Sequence, residues 1–160
     1  MNIRRATDAD RDAVWAILEP VIREGETYAL PRTWSREQGL AYWFDPERTQ
    51  FVAEDDGQVL GIYFIRANRE GGGAHVANCG YMTAPAARGR GVAKAMCAHS
   101  LNVARERGFK AVQFNFVVST NERAVAAWKA MGFQVAGILP GAFNHPRLGF
   151  VDALVMYQQL

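Results

Sequence analysis

The sequence TAPAARGRGVAKAM, residues 83–96, places two glycines among three cationic side chains, Arg88, Arg90 and Lys94. An apolar pattern with helical spacing follows directly, which predicts that a helix begins at this turn. The first turn of a helix leaves backbone N–H groups without partners, and these groups carry partial positive charge. Because glycine has no Cβ, it lets the backbone approach a phosphate closely. The segment therefore predicts an anion-binding turn, with a solvated basic turn as the plain alternative.

Two other phosphate motifs fit this turn less well. A P-loop needs Lys-Ser or Lys-Thr after its last glycine, whereas Gly91 is followed by Val-Ala-Lys-Ala-Met. A dinucleotide fingerprint needs a third glycine at the position of Lys94. RNA contact through Arg-Gly-Arg-Gly is a further alternative, and it would make nucleic-acid affinity fall steeply with salt. The net charge of +2 gives that alternative little support.

Length and composition predict a single domain spanning residues 1–160. The chain is 49% hydrophobic and 21% charged, which is an ordinary globular balance. Cys79 and Cys97 lack CxxC spacing, so neither a disulfide framework nor a zinc site is indicated. The first residues lack the apolar core of a signal peptide, and no apolar run is long enough to span a membrane. We therefore expect a cytoplasmic protein that uses no metal, membrane or nucleic acid.

Periodicity predicts the element order β-α-α-β-β-β-α-β-α-β-β, an α/β domain with helices on both sides of a mixed sheet. Asp8 or Asp10 is expected to cap the first helix, which ends near Gly25, and Ser35 the second. The apolar segment 110–118 predicts a central strand covered on both faces. Residues 140–149 are predicted to form a loop before a last strand at 150–158.

Two motifs resemble those of the GCN5-related N-acetyltransferase (GNAT) superfamily. The family signature Arg/Gln-x-x-Gly-x-Gly/Ala is matched by residues 88–93, Arg-Gly-Arg-Gly-Val-Ala. Downstream, Asn121 matches the asparagine at the start of the next helix, and residues 128–133 match its aromatic-x-x-x-Gly-Phe ending. The resemblance implies a mixed, mostly antiparallel sheet of about seven strands with helices on both faces. It also implies a central parallel pair of strands that splay apart.

An acetyl-coenzyme A (acetyl-CoA) site between the splayed strands is the main implication of this resemblance. Backbone groups of Tyr81, Met82 and Thr83 would pair with the pantetheine arm like an added strand. An N–H near Met82 or Thr83 would polarise the thioester carbonyl, which gives Thr83 a catalytic role. Asn121 would hydrogen-bond the pantetheine or only cap its helix. The residues expected at the pyrophosphate are Arg88, Gly89, Arg90, Gly91, Val92, Ala93 and Lys94.

Two side chains that many family members use are replaced here. Trp128 stands where a tyrosine is thought to protonate the leaving thiolate, and an indole N–H is not a usable acid. Trp128 is therefore equally well explained as a wall of the coenzyme tunnel. Phe116, beside Asn115, stands where some members place a glutamate base. Cys79 is expected to be a buried thiol rather than an acyl-carrying nucleophile.

The base and the acceptor contacts must then come from other segments. Glu24, Glu26 and Tyr28 lie between the first two helices, in a region that forms one acceptor wall in the family. This segment weakly resembles phosphinothricin-type acetyltransferases, which act on small amino acids and their analogues. Glu26 is the predicted base, and Glu24 and Tyr28 are predicted acceptor contacts. The alternative for both carboxylates is a solvated helix end.

Three further side chains are candidates for contact with the acceptor. Asn115 lies on the central strand, and His145 lies on the segment expected to close over the acceptor. His145 is also a second candidate base, because histidine titrates near neutral pH. Arg147 is a candidate for binding an acceptor carboxylate.

The sequence therefore predicts transfer of an acetyl group from acetyl-CoA to the primary amine of a small molecule, such as an amino acid or its analogue. The acceptor would attack directly in a ternary complex. One alternative is acetylation of a protein N terminus or lysine, which predicts an open groove instead of a closed pocket. A second is a coenzyme A-binding module without catalysis. Members of the family are often dimers, so a homodimer is a further expectation.

Overall fold

The computed structural model describes residues 1–160 and contains one seven-stranded sheet and four α-helices. The strands are β1 (Asn2–Arg5), β2 (Thr49–Asp55), β3 (Gln58–Ala67), β4 (Val76–Thr83), β5 (Ala111–Val118), β6 (Gln134–His145) and β7 (Gly149–Gln159). The helices are α1 (Arg11–Glu24), α2 (Arg36–Trp43), α3 (Val92–Glu106) and α4 (Glu122–Ala130). In space the strands lie in the order β1-β2-β3-β4-β5-β7-β6.

Helices cover both faces of this sheet, as the sequence predicts. One apolar layer lies beneath α1 and α2, and its fully buried members include Val14, Leu18, Trp43, Val52 and Ile62. The second layer lies beneath α3 and α4 and includes Tyr63, Met96, Cys97, Val112 and Met156. Neighbouring residues of β3 belong to opposite layers because side chains alternate across a strand. Burial of each large apolar side chain stabilises the fold by roughly 1.5–3 kcal/mol.

The two central strands β4 and β5 run parallel and separate after a short contact. Their paired positions are Val76 with Ala111 and Ala77 with Val112, and no pairing follows. On its other side β5 pairs with β7, with a register shift between Phe114 and Val117. The shift bends β5 at the level where it leaves β4. The predicted splayed parallel pair in a mostly antiparallel sheet is therefore confirmed.

The predicted loop at residues 140–149 is wrong, because β6 continues to His145 and forms a long hairpin with β7. Pro140 and Gly141 suggest a loop, but β6 is the outermost strand, where a proline breaks no pairing on the open edge. The pairing of β6 with β7 is interrupted at Pro140 and Gly141 by a register shift between Leu139 and Phe143 and then continues. Gly141 adopts a φ of 58°, and its N–H donates to the carboxylate of Asp152 at 2.9 Å.

The helix ends follow the predicted signals with one exception. Ser35 caps α2 by accepting from the Gln38 N–H at 3.2 Å, and Gly25 ends α1 with a φ of 65°. Asp8 and Asp10 form a short 3-10 turn before α1, and Asp10 occupies the N-cap position of α1 without a side-chain capping hydrogen bond. The Asp10 carboxylate instead accepts from the Thr7 N–H at 2.7 Å and pairs with Arg4 at 2.9 Å. No helix of the structure is long and apolar enough to cross a membrane.

Candidate active site

A cleft of about 720 Å³ opens where β4 and β5 separate. It brings together residues from α1, the α1–α2 connection, β3, β4, β5, the turn before α3, and α4. Most of the residues singled out from the sequence line it: Glu24, Tyr28, Tyr81, Met82, Thr83, Arg88, Gly89, Gly91, Val92, Ala93, Lys94, Asn115, Asn121 and Trp128. Glu26, Arg90 and His145 do not line it.

The backbone N–H and C=O groups of Tyr81 and Thr83 point into the gap, whereas those of Met82 point towards β3. Hydrogen bonds join Ala84 N–H to Leu60 C=O at 2.8 Å and Asn68 N–H to Val76 C=O at 2.8 Å. In the continuous register between β3 and β4, the even-numbered β4 residues are therefore the ones that bond to β3. The N–H of Met82 thus faces β3, while the N–H and C=O groups of Tyr81 and Thr83 face the space left by β5.

The glycine-rich turn leaves a group of backbone amides free at the start of α3. Gly89 and Gly91 have φ values of 81° and 78°, and an added Cβ at either position would meet no atom within 4 Å. Gly91 caps α3. The N–H groups of Gly89, Gly91, Val92, Ala93 and Lys94 have no hydrogen-bond partner in the chain. Free amides at a helix N-terminus form an anion site with partial positive charge.

The cationic side chains around this turn differ in their partners. Arg88 is paired with Glu24 of α1 at 3.1 Å. Arg90 turns out of the cleft towards Asp55 at 3.9 Å, and its N–H donates to Ala87 C=O. Lys94 lines the cleft without an acidic partner, so the free positive charge lies at Lys94 rather than at Arg90.

A further cation at the cleft, Arg123, was not singled out from the sequence. It lies in the first turn of α4 and also has no acidic partner. Its position two residues after Asn121 is the sequence signal that could have indicated it.

Aromatic side chains form the wall of the cleft beneath α4. Trp128 is buried, with its ring 5.0 Å from that of Tyr81 and 5.3 Å from that of Phe114. Trp128 is therefore a packed side chain that lines the cleft. Asn121 caps α4, because its side-chain oxygen accepts from the Ala124 N–H at 3.4 Å.

Tyr28 enters the gap from the α1–α2 connection. Its hydroxyl donates to the C=O of Tyr81 at 2.8 Å. Burial raises the pKa of Tyr28 well above its ordinary value, so the phenol stays protonated and acts as a donor. Cys79 also lines the cleft, and burial raises the pKa of its thiol to about 12. At neutral pH Cys79 is therefore a thiol rather than a nucleophilic thiolate.

Glu26, His145 and Arg147 meet beside the cleft rather than inside it. Arg147 Nε donates to Glu26 Oε1 at 2.8 Å, and His145 Nε2 lies 4.0 Å from Glu26 Oε2. His145 is buried, and its Nδ1 accepts from the N–H groups of Arg147 and Leu148 at 3.1 and 3.2 Å. Its proton therefore belongs on Nε2 in the neutral ring, and Nδ1 is occupied in closing the β6–β7 turn.

A polar recess on the α1–α2 face of the cleft was not recognised from the sequence. Arg66 of β3, Asn78 of β4 and Asn115 of β5 line the cleft there. Asn68 and Gln113 do not line it but are hydrogen-bonded to Asn115 and Asn78. Asn78 Nδ2 donates to Gln113 C=O at 3.0 Å, and Asn115 Nδ2 donates to Asn68 Oδ1 at 2.7 Å. Arg66 lies near the end of the apolar strand β3, on the same face as Phe64, so the alternation of side chains was the available signal for its side of the sheet.

A family model described as the acetyltransferase (GNAT) family matches residues 13–133. The chain belongs to this family. The match runs from α1 to just beyond α4 and includes both sequence motifs and every residue that lines the cleft. The resemblance to the GNAT superfamily inferred from the two motifs is confirmed.

Solved structures with this fold cover nearly the whole chain. A GCN5-related N-acetyltransferase from Kribbella flavida is 43% identical, with a TM-score of 0.95, over 99% of this chain and 97% of that chain. A ribosomal-protein-alanine N-acetyltransferase from Brucella melitensis is 26% identical, with a TM-score of 0.86, over 100% of both chains. A Sinorhizobium meliloti phosphinothricin acetyltransferase, solved with acetyl-CoA, is 20% identical, with a TM-score of 0.86, over 99% of this chain and 88% of that one. That last likeness shows the fold alone.

Curated relatives are longer than this chain. N-acetyltransferase aca1 from Schizosaccharomyces pombe is 32% identical over 98 residues, which are 61% of this chain and 47% of that protein. The chain thus spans less than half the length of the curated relatives it matches.

Proposed function

We propose that the chain transfers an acetyl group from acetyl-CoA to the primary amine of a small acceptor, by direct attack in a ternary complex. Amino acids and their analogues are the first acceptor class. The observation that carries this proposal is the gap between β4 and β5. The backbone groups of Tyr81 and Thr83 face that gap without a partner strand, and the Tyr81 C=O accepts only from the Tyr28 hydroxyl. The gap leads to the free amides at the start of α3. Residues 1–160 would act as one unit in this reaction.

The chain's own groups fit a coenzyme A molecule along this path. The N–H groups of Tyr81 and Thr83 and the C=O of Thr83 can pair with the amides of the pantetheine arm, as an added strand would. The C=O of Tyr81 already accepts from the Tyr28 hydroxyl. The amides of Gly89, Gly91, Val92, Ala93 and Lys94 would hold the pyrophosphate. Lys94 and Arg123 are the cations left free for its remaining phosphate charge.

Acetyl-CoA supplies an activated acetyl thioester when it is bound. The Thr83 N–H faces the gap, so we assign it to donate to the carbonyl oxygen on which negative charge develops. Met82 is less suited to this role because its N–H faces β3. Removing a single donor of this kind typically costs about 10²–10³ in rate. The raised pKa of Cys79 supports direct attack by the amine rather than an acyl-cysteine.

An alkylamine is mostly protonated at neutral pH, so a base must take its proton before attack. Glu26 stays the proposed base. Because its carboxylate points to Arg147 and His145, this role needs a water between Glu26 and the amine. Trp128 packs as a wall and cannot donate a usable proton, so we assign protonation of the thiolate to water.

Acetylation of a protein N terminus is the second candidate, and the name of the Brucella melitensis relative favours it. Thiol release distinguishes the candidates. The protein with acetyl-CoA is offered free amino acids, simple amines and short peptides with free N termini, and released thiol is followed with a chromogenic disulfide. Cys79 and Cys97 are buried and will contribute little background.

Release with amino acids alone supports the proposal, and release with peptides alone supports the second candidate. Coenzyme binding without release by any amine favours the non-catalytic module. A mass spectrum after incubation with acetyl-CoA alone should show no acetylated protein, because the proposed transfer has no acyl-enzyme. The cytoplasmic location and the homodimer stay predictions, and light scattering tests the second of them.

A further inference from the structure

The polar recess lies on the side of the sheet that α1 and α2 leave partly open. Phe64 and Met82 belong to the apolar layer under α1 and α2, so Arg66, Asn78 and other even-numbered residues of β3 and β4 share that face. The helix α1 packs on β3 and β4. Gln113, Asn115 and Phe116 of β5 stay partly exposed. Asn78 lies near the start of β4, whereas the free amides follow the end of that strand, so the recess is separate from the anion site.

Within the recess, the asparagine and glutamine residues are hydrogen-bonded to each other, whereas Arg66 has no acidic partner. Asn78 is 7% exposed and Asn68 is 8% exposed, and both take part in the amide network. Arg66 makes one long hydrogen bond, from Nε to Asn78 Oδ1 at 3.5 Å. Its two terminal nitrogens have no hydrogen bond, and no carboxylate lies within ion-pair distance of it. The guanidinium edge that binds carboxylates in pairs of hydrogen bonds is therefore free.

No free carboxylate of the cleft balances the positive charge of Arg66. The one carboxylate that lines the cleft is Glu24, and it is paired with Arg88. Lys94 and Arg123 belong to the end that would take the coenzyme phosphates. A partly buried cation without a counter-charge favours an anionic ligand and disfavours a cationic one.

We propose that Arg66 binds the carboxylate of the acceptor, so that the chain selects free amino acids and their analogues over polyamines, simple amines and peptides. The inference rests on the proposed acetyl transfer and assigns a specificity-determining residue to it. Asn78 holds the Nε side of the guanidinium, and Asn115 lines the same recess. A peptide offers an amide where a free amino acid offers a carboxylate, so it cannot form the charged bidentate pair.

Arg147, the sequence-based candidate for this contact, is directed elsewhere. Its guanidinium is paired with Glu26, its side chain is 71% exposed, and it does not line the cleft. We therefore assign the carboxylate contact to Arg66, which is the cation that lines the recess.

The test measures binding rather than turnover. Protein loaded with coenzyme A is titrated calorimetrically with the N-acetyl derivatives of alanine, methionine and phenylalanine, and with the amide of each. We expect the acids to bind at least tenfold more tightly than the amides. Arg66→Met should bring the affinities of acid and amide within twofold of each other, and Arg66→Lys should give an intermediate ratio. Arg69→Met is the matched control, because Arg69 is exposed and contacts the backbone of Asn68 outside the cleft.

The possible failures are distinguishable. If coenzyme A binds but acids and amides bind equally, if the preference survives Arg66→Met, or if none of the six ligands binds, the assignment of Arg66 is overturned while acetyl transfer stands. If coenzyme A itself does not bind to the folded protein, the proposed function fails and this inference fails with it.

Discussion

The hydroxyl of Tyr28 donates a hydrogen bond of 2.8 Å to the backbone C=O of Tyr81. This bond ties the α1–α2 connection to the edge of β4 that faces the gap. It therefore couples the segment expected to contact the acceptor to the strand expected to hold the pantetheine arm. The phenol is well placed as a donor and, because burial raises its pKa, it cannot act as a base at neutral pH.

Replacing Tyr28 by Phe should lower the free energy of unfolding by about 1 kcal/mol, since a buried hydrogen bond is lost while the ring stays. Tyr42→Phe is the matched control, because Tyr42 also lines the cleft but its hydroxyl makes no hydrogen bond. Urea unfolding of both variants measures the difference. Equal stability of Tyr28→Phe and Tyr42→Phe would show that the bond to Tyr81 contributes nothing.

Gly91→Ala should weaken coenzyme A binding at least fivefold, whereas Gly57→Ala should leave it unchanged. The two glycines have nearly the same φ, 78° and 76°, and an added Cβ meets no neighbour at either position. Both substitutions should therefore cost about 1 kcal/mol of stability through backbone strain. Only Gly91 lies among the free amides of the cleft. Calorimetry of both variants separates the effects, and equal coenzyme affinities would remove Gly91 from the site.

Glu26→Gln should lower kcat at least tenfold with little change in coenzyme affinity if Glu26 is the base. Arg147→Met removes the partner of the same carboxylate without removing the carboxylate itself. It should therefore change kcat far less, because an exposed ion pair is worth about 0.2–1 kcal/mol. Steady-state kinetics of both variants tests the assignment. Similar small effects of both substitutions would mean that Glu26 only joins the α1–α2 connection to the β6–β7 hairpin.

Asp10→Asn should destabilise the fold by about 1–2 kcal/mol at pH 7, and the difference should disappear in acid. The hydrogen bond from Arg4 lowers the pKa of Asp10 from 3.8 to about 2. A carboxyl with a lowered pKa in the folded state stabilises the protein above its unfolded pKa, and this stability is lost as pH falls from about 4 towards 2. Asp8→Asn is the control, because the Asp8 side chain is 91% exposed. Thermal unfolding of both variants and of the unmodified protein, from neutral pH down to this acid range, measures the difference in stability.

The sequence predicted well those features that depend on neighbouring residues. The turn at Gly89 and Gly91, the cap at Asn121 and the position of Trp128 follow from short motifs, and the structure brings them to one cleft. The β6–β7 hairpin was misjudged because Pro140 and Gly141 read as a loop. Only the sheet order reveals that β6 is an edge strand that tolerates them.

Features that depend on residues far apart in the chain could not be predicted from the sequence. The choice of Thr83 over Met82 needs the register between β3 and β4. The recess around Arg66 needs residues of three strands, and two of its hydrogen bonds join residues 35 and 47 positions apart in the chain. The pairing of Glu26 with Arg147 likewise spans the chain from the end of α1 to the β6–β7 turn.

The most direct test of the central claim is a calorimetric titration of the purified, folded protein with acetyl-CoA, with coenzyme A and 3′,5′-ADP as parallel ligands. We predict saturable binding of acetyl-CoA and coenzyme A, and weaker binding of 3′,5′-ADP, because that fragment lacks the pantetheine arm that Tyr81 and Thr83 would pair with. Absence of binding by acetyl-CoA would contradict the proposed coenzyme site and the proposed acetyl transfer, since the turn before α3 would then be only a turn.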